Sequence, residues 1–484
     1  MREGLVGYTR NNKWIHKLID IFSRKSSLMI SVHILFFLFV MVIDDLDYQA
    51  KVSLVAFLSA MMFWITTKIP AGFVAVTVIV VIVLLGAADA ELLYQSLAQE
   101  VVWLMIGAFV MGEAVRQSGL AERFSRYLLN KSDQKSNMLF LLTNALFVSA
   151  FFIPSTSGRA ALSMPIIKQL SERLHSSEER GVLALVAPVI ILMSTSATLI
   201  GAGSHLIGIS LLESATDQSI SYIQWLIWGL PFTIMITLMT YFITKWILWP
   251  RNTVKEVKSI PTEVTSSRKQ PMNVGEKRTF ILISLMMLAW MSHGIHGYDI
   301  GFITMVGGLL FMIPKYGVIS WKQGMKAVSW PLVLFVAAAT ALGKVLVDTG
   351  VVGWIEGEML NVLHLFISAP EWIIVCMILL VAVTSHLYIH SHTTRAIIFV
   401  PSLILFSESI GLDSSTVVFL SLIGMNYCVT FPVSSKALLI FYEEGELSFD
   451  PRKLFKISAI LMPLYILVML LFYFTYWQWT GMNI

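Results

Sequence analysis

The stretches PSTSGRAALSMP (Pro154–Pro165) and HSHTTRAIIFVP (His390–Pro401) decide how this chain is read. Both fit S-x-[ST]-x-R-A-x-x-x-x-P, so Ser155, Ser157, Arg159, Ala160 and Pro165 correspond to Ser391, Thr393, Arg395, Ala396 and Pro401. Each stretch breaks an apolar segment, 138–169 and 372–406, with polar residues and proline. Two further matches follow in the same chain order. Upstream, Gly112–Gly119 (GEAVRQSG) matches Gly343–Gly350 (GKVLVDTG). Downstream, TLIGAGSH (Thr198–His205) matches TFPVSSK (Thr430–Lys436). Three matches separated by roughly 230–236 residues predict an internal duplication.

Around these motifs the chain is written for lipid. Of 484 residues, 56% are hydrophobic and only 13% charged, against roughly 25% charged in soluble domains. The expected fold is an all-α polytopic membrane protein of about eleven transmembrane helices plus two re-entrant hairpins. Six spans fall near 28–43, 52–67, 71–88, 101–116, 182–198 and 222–248; five near 278–294, 300–314, 328–347, 414–430 and 454–478. The basic segment 1–27 is followed by no small-x-small cleavage site, so the first apolar run reads as an uncleaved span and not a signal peptide. The division is then a cytoplasmic segment 1–27, a first repeat 28–249 with hairpin 138–169, a cytoplasmic linker 250–277, and a second repeat 278–484 with hairpin 372–406.

Charge tests that division. If both hairpins return to their own side, loops 117–137, 170–181, 249–277, 315–327 and 432–453 share a side with the N-terminus, and all bear Lys or Arg. The opposite loops, 89–100, 206–221, 348–371 and 407–413, carry Asp and Glu but no Lys or Arg. That asymmetry is the positive-inside pattern. It places the N-terminus in the cytoplasm and the C-terminus outside, in the cell membrane. Five spans and one hairpin separate each motif from its partner, and an odd number of crossings inverts the second copy. Two inverted-topology repeats are an architecture of secondary transporters, with the site where the halves meet.

The motif chemistry suits an anion. Backbone that leaves a helix at membrane depth is tolerated where it is buried in protein or lines a cavity, and its N–H groups and helix N-termini present positive potential. Candidate substrate contacts are Ser155, Thr156, Ser157 and Arg159 at the first bend, and Ser391, His392, Thr393 and Arg395 at the second. Ser204 and His205, and Ser434, Ser435 and Lys436, belong to the two interrupted spans. Two Arg and one Lys point to a ligand with at least two negative charges, since Arg is suited to bidentate carboxylate or phosphate contacts. The alternative is that each Arg caps hairpin carbonyls or pairs with an acid, Glu113 being the main candidate. His386, His390 and His392 are closely spaced, but no HExxH and no nearby acidic or thiol partner completes a metal site. Cys376 and Cys428 lie in apolar runs and imply no disulfide framework. ALGKV (Ala341–Val345) lacks the Ser/Thr and earlier Gly of a phosphate-binding loop. No enzyme motif, no cofactor and no nucleic-acid partner is indicated.

With these motifs in place, residues 28–480 resemble the divalent anion:sodium symporter family of the ion transporter superfamily. Family hairpins carry Ser-Asn-Thr with Pro ten residues after the Ser, as Pro165 follows Ser155 and Pro401 follows Ser391. ATLIG (Ala197–Gly201), GLP (Gly229–Pro231) and FPV (Phe431–Val433) are also similar to family elements. The resemblance implies a homodimer, a scaffold and a transport domain that moves as an elevator, and di- or tricarboxylates or sulfate as substrates. It also implies sodium near Ser155, Gly201 and Thr393. Several departures weaken the sodium sites. Thr156 and His392 replace the motif Asn, Phe151 and Leu387 replace hydroxyl residues, and His205 and Lys436 stand where Asn is usual. Arg four residues after each Ser is similar to exchanger-type members. Anion exchange, proton coupling and sodium symport therefore all stand. So do a cation/proton antiporter or oxyanion exporter of the same superfamily, and, from another class, a membrane-embedded enzyme or a channel.

Overall fold

The computed structural model describes residues 24–67, 69–120, 123, 135–153, 155–216, 218–250, 271–354, 369–389, 392–443 and 448–484. Ser391, most of the N-terminal segment and most of the linker lie outside the described residues. Every regular element among the described residues is helical. The first half runs α1 (Arg24–Met41), α2 (Tyr48–Thr66), α3 (Ala71–Leu84), α4 (Glu91–Leu97), α5 (Glu100–Ser118), α6 (Lys135–Ser149), α7 (Thr156–Glu172), α8 (Ser177–Met193), α9 (Gly203–Ala215) and α10 (Tyr222–Ile247). The second runs α11 (Val274–Met291), α12 (His293–His296), α13 (Ile300–Met312), α14 (Trp321–Ala327), α15 (Trp330–Asp348), α16 (Glu371–Thr384), α17 (His392–Ser409), α18 (Ser414–Asn426), α19 (Lys436–Glu443) and α20 (Pro451–Phe472).

The expected spans and hairpin arms coincide with helices within a few residues. Five described helical stretches are long and apolar enough to cross a membrane, and six shorter apolar helices accompany them. Four helices fell in stretches read as loops: α4, α9, α14 and α19. The clearest is α9, where Ser204 to Leu212 is a continuous buried run. Its mild hydropathy, with Ser204, His205, Gly208 and Ser210, hid it.

Helix α10 shows how a span divides its faces. Ile223, Ile227, Ile234, Leu238, Phe242 and Trp246 are exposed, a lipid-facing stripe at helical spacing. Trp225, Phe232, Thr233, Ile236, Thr240 and Thr244 are buried on the other side. Three of the inward threonines bond to their own helix, Thr233 to the Gly229 carbonyl, Thr240 to that of Ile236 and Thr244 to that of Thr240.

The halves pack reciprocally. Helix α13 lies along α5, and α3 along α15; α17 packs on α9, and α19 on α7. The pairs α4–α5 and α14–α15 have equal lengths, 7 and 19 residues. Glycine in the left-handed region follows each long member, Gly119 at φ 83° and Gly350 at φ 74°. Helices α10 and α20 both carry an internal proline, Pro231 and Pro463. Close approach of α5 and α13 depends on glycine. A Cβ on Gly107 would stand 2.4 Å from the Thr304 carbonyl oxygen, the small-residue packing usual between helices in lipid.

Candidate functional site

Each bend is built from a helix start. At the first, Ser155 caps α7, its Oγ accepting from Gly158 N–H at 3.2 Å and lying 3.1 Å from Ser157 Oγ. Arg159 then falls in the first turn of α7 and is 1% exposed. Its Nη1 donates to Ser194 Oγ (3.0 Å); its Nη2 donates to the Ile191 carbonyl (2.8 Å) and to Thr195 Oγ1 (2.9 Å). At the second bend His392 opens α17, with Thr393 beside it, and Arg395 falls in the first turn, 0% exposed. Arg395 Nη1 donates to the Tyr427 carbonyl at 3.4 Å, while its Nε and Nη2 have no hydrogen-bond partner. Both arginines thus reach a carbonyl 32 residues downstream.

The two interrupted spans also share a course. After α8, Leu199–Gly201 forms a 3-10 turn, Ala202 is extended (φ −147°, ψ 146°), and α9 begins. After α18, Pro432–Ser434 forms the same turn, Ser435 is extended (φ −154°, ψ 146°), and α19 begins. This correspondence sets Lys436 opposite Gly203, not opposite His205 as in the sequence match. Lys436 is exposed, whereas Ser204, His205, Ser434 and Ser435 are buried. Ser434 Oγ accepts from Phe431 N–H and Ser435 Oγ from Ala437 N–H; Ser204 Oγ has no partner. Gly201 is forced by the first turn, because a Cβ there would be 2.1 Å from the Thr195 carbonyl oxygen.

The first break is wired on three sides. Thr198 Oγ1 donates to Ala150 O in the first bend, and Trp225 Nε1 donates to Ser196 O at 3.1 Å. From the second half, Asn426 Nδ2 donates to Ser196 Oγ at 2.8 Å and lies 2.7 Å from His205 Nε2. In the second break, His386 Nε2 is 2.7 Å from Thr430 Oγ1, and His392 Nε2 is 3.0 Å from Cys428 Sγ. A thiol partner for His392 thus exists, but 36 residues away in the chain. Among the described residues no group of three His, Cys, Asp or Glu is placed to hold a metal ion.

These contacts bring basic groups together. His205 lies within electrostatic reach of Arg159, and His392 within reach of Arg395, His205 and His386. The motifs of both halves therefore share one buried centre. Among the described residues, neither Arg159 nor Arg395 pairs with a carboxylate. Glu113 accepts instead from Arg116 Nε (2.8 Å) and Gln117 Nε2 (2.6 Å). Glu113 and Arg116 border a cavity of about 990 Å³ whose other wall is Ser155, Ser157 and Gln169.

Sequence reasoning missed Ser194, Thr195, Ser196, Asn426 and Cys428. The polar run STS (Ser194–Ser196) closing an apolar span was a usable signal; a single Asn ahead of Tyr427 was not.

Apolar helices, two polar bends and a buried basic centre define an integral membrane protein built for transport. The sequence profile of the sodium:sulfate symporter transmembrane region matches residues 23–483, so the chain belongs to that family of transporters, the divalent anion:sodium symporters. It is 23% identical over 443 residues to the sodium-dependent high-affinity dicarboxylate transporter 3 of Caenorhabditis elegans, covering 79% of this chain and 76% of that one. It is 22% identical over 383 residues to the citrate/succinate antiporter of Escherichia coli K12, covering 76% and 77%. These relatives are transporters, not enzymes. Among solved structures, the Alcanivorax borkumensis YdaH transporter shares the fold, with TM-score 0.56 and 13% identity over 76% of this chain and 84% of that chain.

Proposed function

We propose that this protein carries small multivalent anions of the di- and tricarboxylate class across the cell membrane without sodium, by exchange or together with a proton. The observation that carries the proposal is the buried centre: Arg159 lies within electrostatic reach of His205, and His205 and Arg395 within reach of His392, and among the described residues neither arginine has a carboxylate partner. A charge at membrane depth is expensive and needs a counter-charge. A polyanion supplies it. Arg395 keeps two donors unused, in a fork that suits a carboxylate.

Sodium-independent transport is favoured over sodium symport by the first break. Three oxygens of that break, Ile191 O, Ser194 Oγ and Thr195 Oγ1, already accept from Arg159 and so are less free to hold a sodium ion. A fixed guanidinium takes the place of a mobile cation near Ser155 and Gly201. Near Thr393, His392 and Arg395 are similarly basic. The relatives' names span both modes, sodium-dependent and antiporter.

The reciprocal packing supports two inverted repeats, 28–249 and 278–484, with a cytoplasmic N-terminus and an external C-terminus. The cavity between α5 and the α7 hairpin supports an elevator motion of the hairpins against a scaffold. A homodimer through that scaffold completes the reading.

The test is counterflow in proteoliposomes loaded with succinate, citrate, 2-oxoglutarate or sulfate, with and without a sodium gradient. Saturable, sodium-independent accumulation of a di- or trianion is expected. No accumulation of any multivalent anion would overturn the proposal, and flux without counterflow would indicate a channel.

A further inference from the structure

The contact between the two breaks has a polarity that sets a charge state. His205 Nδ1 lies 3.1 Å from the Leu199 carbonyl, which can only accept, so Nδ1 carries a hydrogen. The Nε2 atom faces Asn426 Nδ2 at 2.7 Å, and that amide also donates to Ser196 Oγ. The arrangement is satisfied by a neutral His205 with an unprotonated Nε2. It leaves Asn426 Oδ1 buried with no partner, in a residue 1% exposed.

Protonation of His205 would set Nε2–H against Nδ2–H. One local change relieves the clash: the Asn426 amide turns over. Oδ1 then accepts from His205 Nε2–H and from the Ser196 hydroxyl, and the number of hydrogen bonds is kept. The pair is a two-state element whose states differ by one proton.

The groups around His205 decide when the second state is populated. Arg159 faces it from α7 and His392 from α17, and the Arg159 charge opposes a proton. Tyr465 of α20 lies beside Ser196. Trp225 of α10 lies against the imidazole, with ring centroids 4.5 Å apart and planes tilted by 37°, a neighbour that favours a cationic ring. A multivalent anion held between the arginines offsets their field, lessens that repulsion and adds its own attraction for a proton. Anion binding and proton binding then promote each other, by linkage.

We propose that Asn426 is a positioning residue that keeps His205 neutral without substrate and admits a proton when the anion binds, so that the anion travels with a proton. The proposal rests on the anion-carrier reading above and names its coupling ion.

The experiment measures uptake of a chosen anion between roughly pH 5.5 and 8.5, with a pH dye trapped inside proteoliposomes, for wild type, Asn426→Asp and His205→Gln. Titration of the substrate itself is common to all three proteins, so the differences between profiles are informative. In wild type, a KM that falls about tenfold from pH 8 to pH 6 and acidification of the lumen during net uptake are expected. Asn426→Asp accepts from both His205 and Ser196, so its profile should move at least about one unit to higher pH. The residual uptake of His205→Gln should lose the difference. If either variant fails to fold, the wild-type proton flux and the other variant decide. Superimposable pH profiles, or anion uptake without proton movement, would overturn this inference and leave the anion reading intact. No uptake of any anion at any pH would overturn both.

Discussion

The two motif arginines hold the same place in the two halves and are treated differently by their surroundings. Arg159 is locked. Two of its three nitrogens donate to Ile191 O, Ser194 Oγ and Thr195 Oγ1, at the end of α8. Arg395 has one long bond to Tyr427 O and two idle nitrogens. The cause is the sequence of the breaks. Ser194-Thr195-Ser196 offers hydroxyls to the first arginine, whereas Tyr427-Cys428-Val429 offers the second one weak thiol. Both bends are cationic, and only the second leaves two of its three guanidinium nitrogens without a partner among the described residues.

Removal of each arginine sharpens that contrast. Arg395→Ala should raise the KM for the carried anion by roughly 10- to 150-fold, the equivalent of about 1.5–3 kcal/mol of charge-assisted hydrogen bonding. Its melting temperature in detergent should change little, because few protein contacts are lost. Arg159→Ala should act in the opposite sense. It breaks the tie between α7 and the end of α8 and should destabilise by about 2–4 kcal/mol, seen as a lower melting temperature and poorer yield. Equal KM effects with equal stability effects would erase the distinction between a lock and a contact.

The backbone of the two breaks gives a second, smaller contrast. The turns superpose in course, but Gly201 occupies the place that Ser434 holds in the second half. A methyl on Gly201 would meet the Thr195 carbonyl oxygen at 2.1 Å, and that carbonyl belongs to the turn that meets Arg159. Gly201→Ala should therefore cost about 1–3 kcal/mol, as overpacking does. Ser434→Ala removes one hydrogen bond, from Phe431 N–H to Ser434 Oγ, and should cost only about 0.5–1.5 kcal/mol. Thermal melts of the two variants side by side decide it. A Gly201→Ala protein as stable as Ser434→Ala would mean that the first turn is softer than its packing indicates.

How much of this was legible follows from the same physics. Long apolar runs fix where helices cross, because lipid leaves the backbone no other partner. Hence α10 was placed almost to the residue, and α20 within a few residues at its start. The bends were legible because proline, hydroxyl and arginine are rare at that depth, and the two motifs recur at a nearly constant separation. Helices α9 and α19 were not, since each is short and begins inside a break, where composition resembles a loop. Asn426 was invisible for a different reason. Its importance lies in touching Ser196 and His205, 230 and 221 residues away, and no local pattern encodes that. Glu113 was expected near the buried arginines on charge alone; a neighbour one turn along its own helix, Arg116, claimed it instead.

That last pair gives the smallest effect and the subtlest difference between halves. Glu113 corresponds to Lys344 in the duplicated motif. Glu113 and Arg116 border the cavity of about 990 Å³ that reaches Ser155; Lys344 borders a smaller one, about 240 Å³, with Gln95 and Gln99. On the first side an acid therefore faces an approaching anion, and Arg116 cancels its charge. Arg116 is more than half exposed, so its influence is long-range and screened. Arg116→Ala should slow initial uptake at low ionic strength by about two- to fivefold, with Glu113 left to repel the substrate. The deficit should shrink as salt shortens the Debye length below about 10 Å. Glu113→Gln in the same background should restore the rate. A deficit that persists at high salt, or that Glu113→Gln does not relieve, would place Arg116 in direct contact with the anion and make the first cavity part of the binding site.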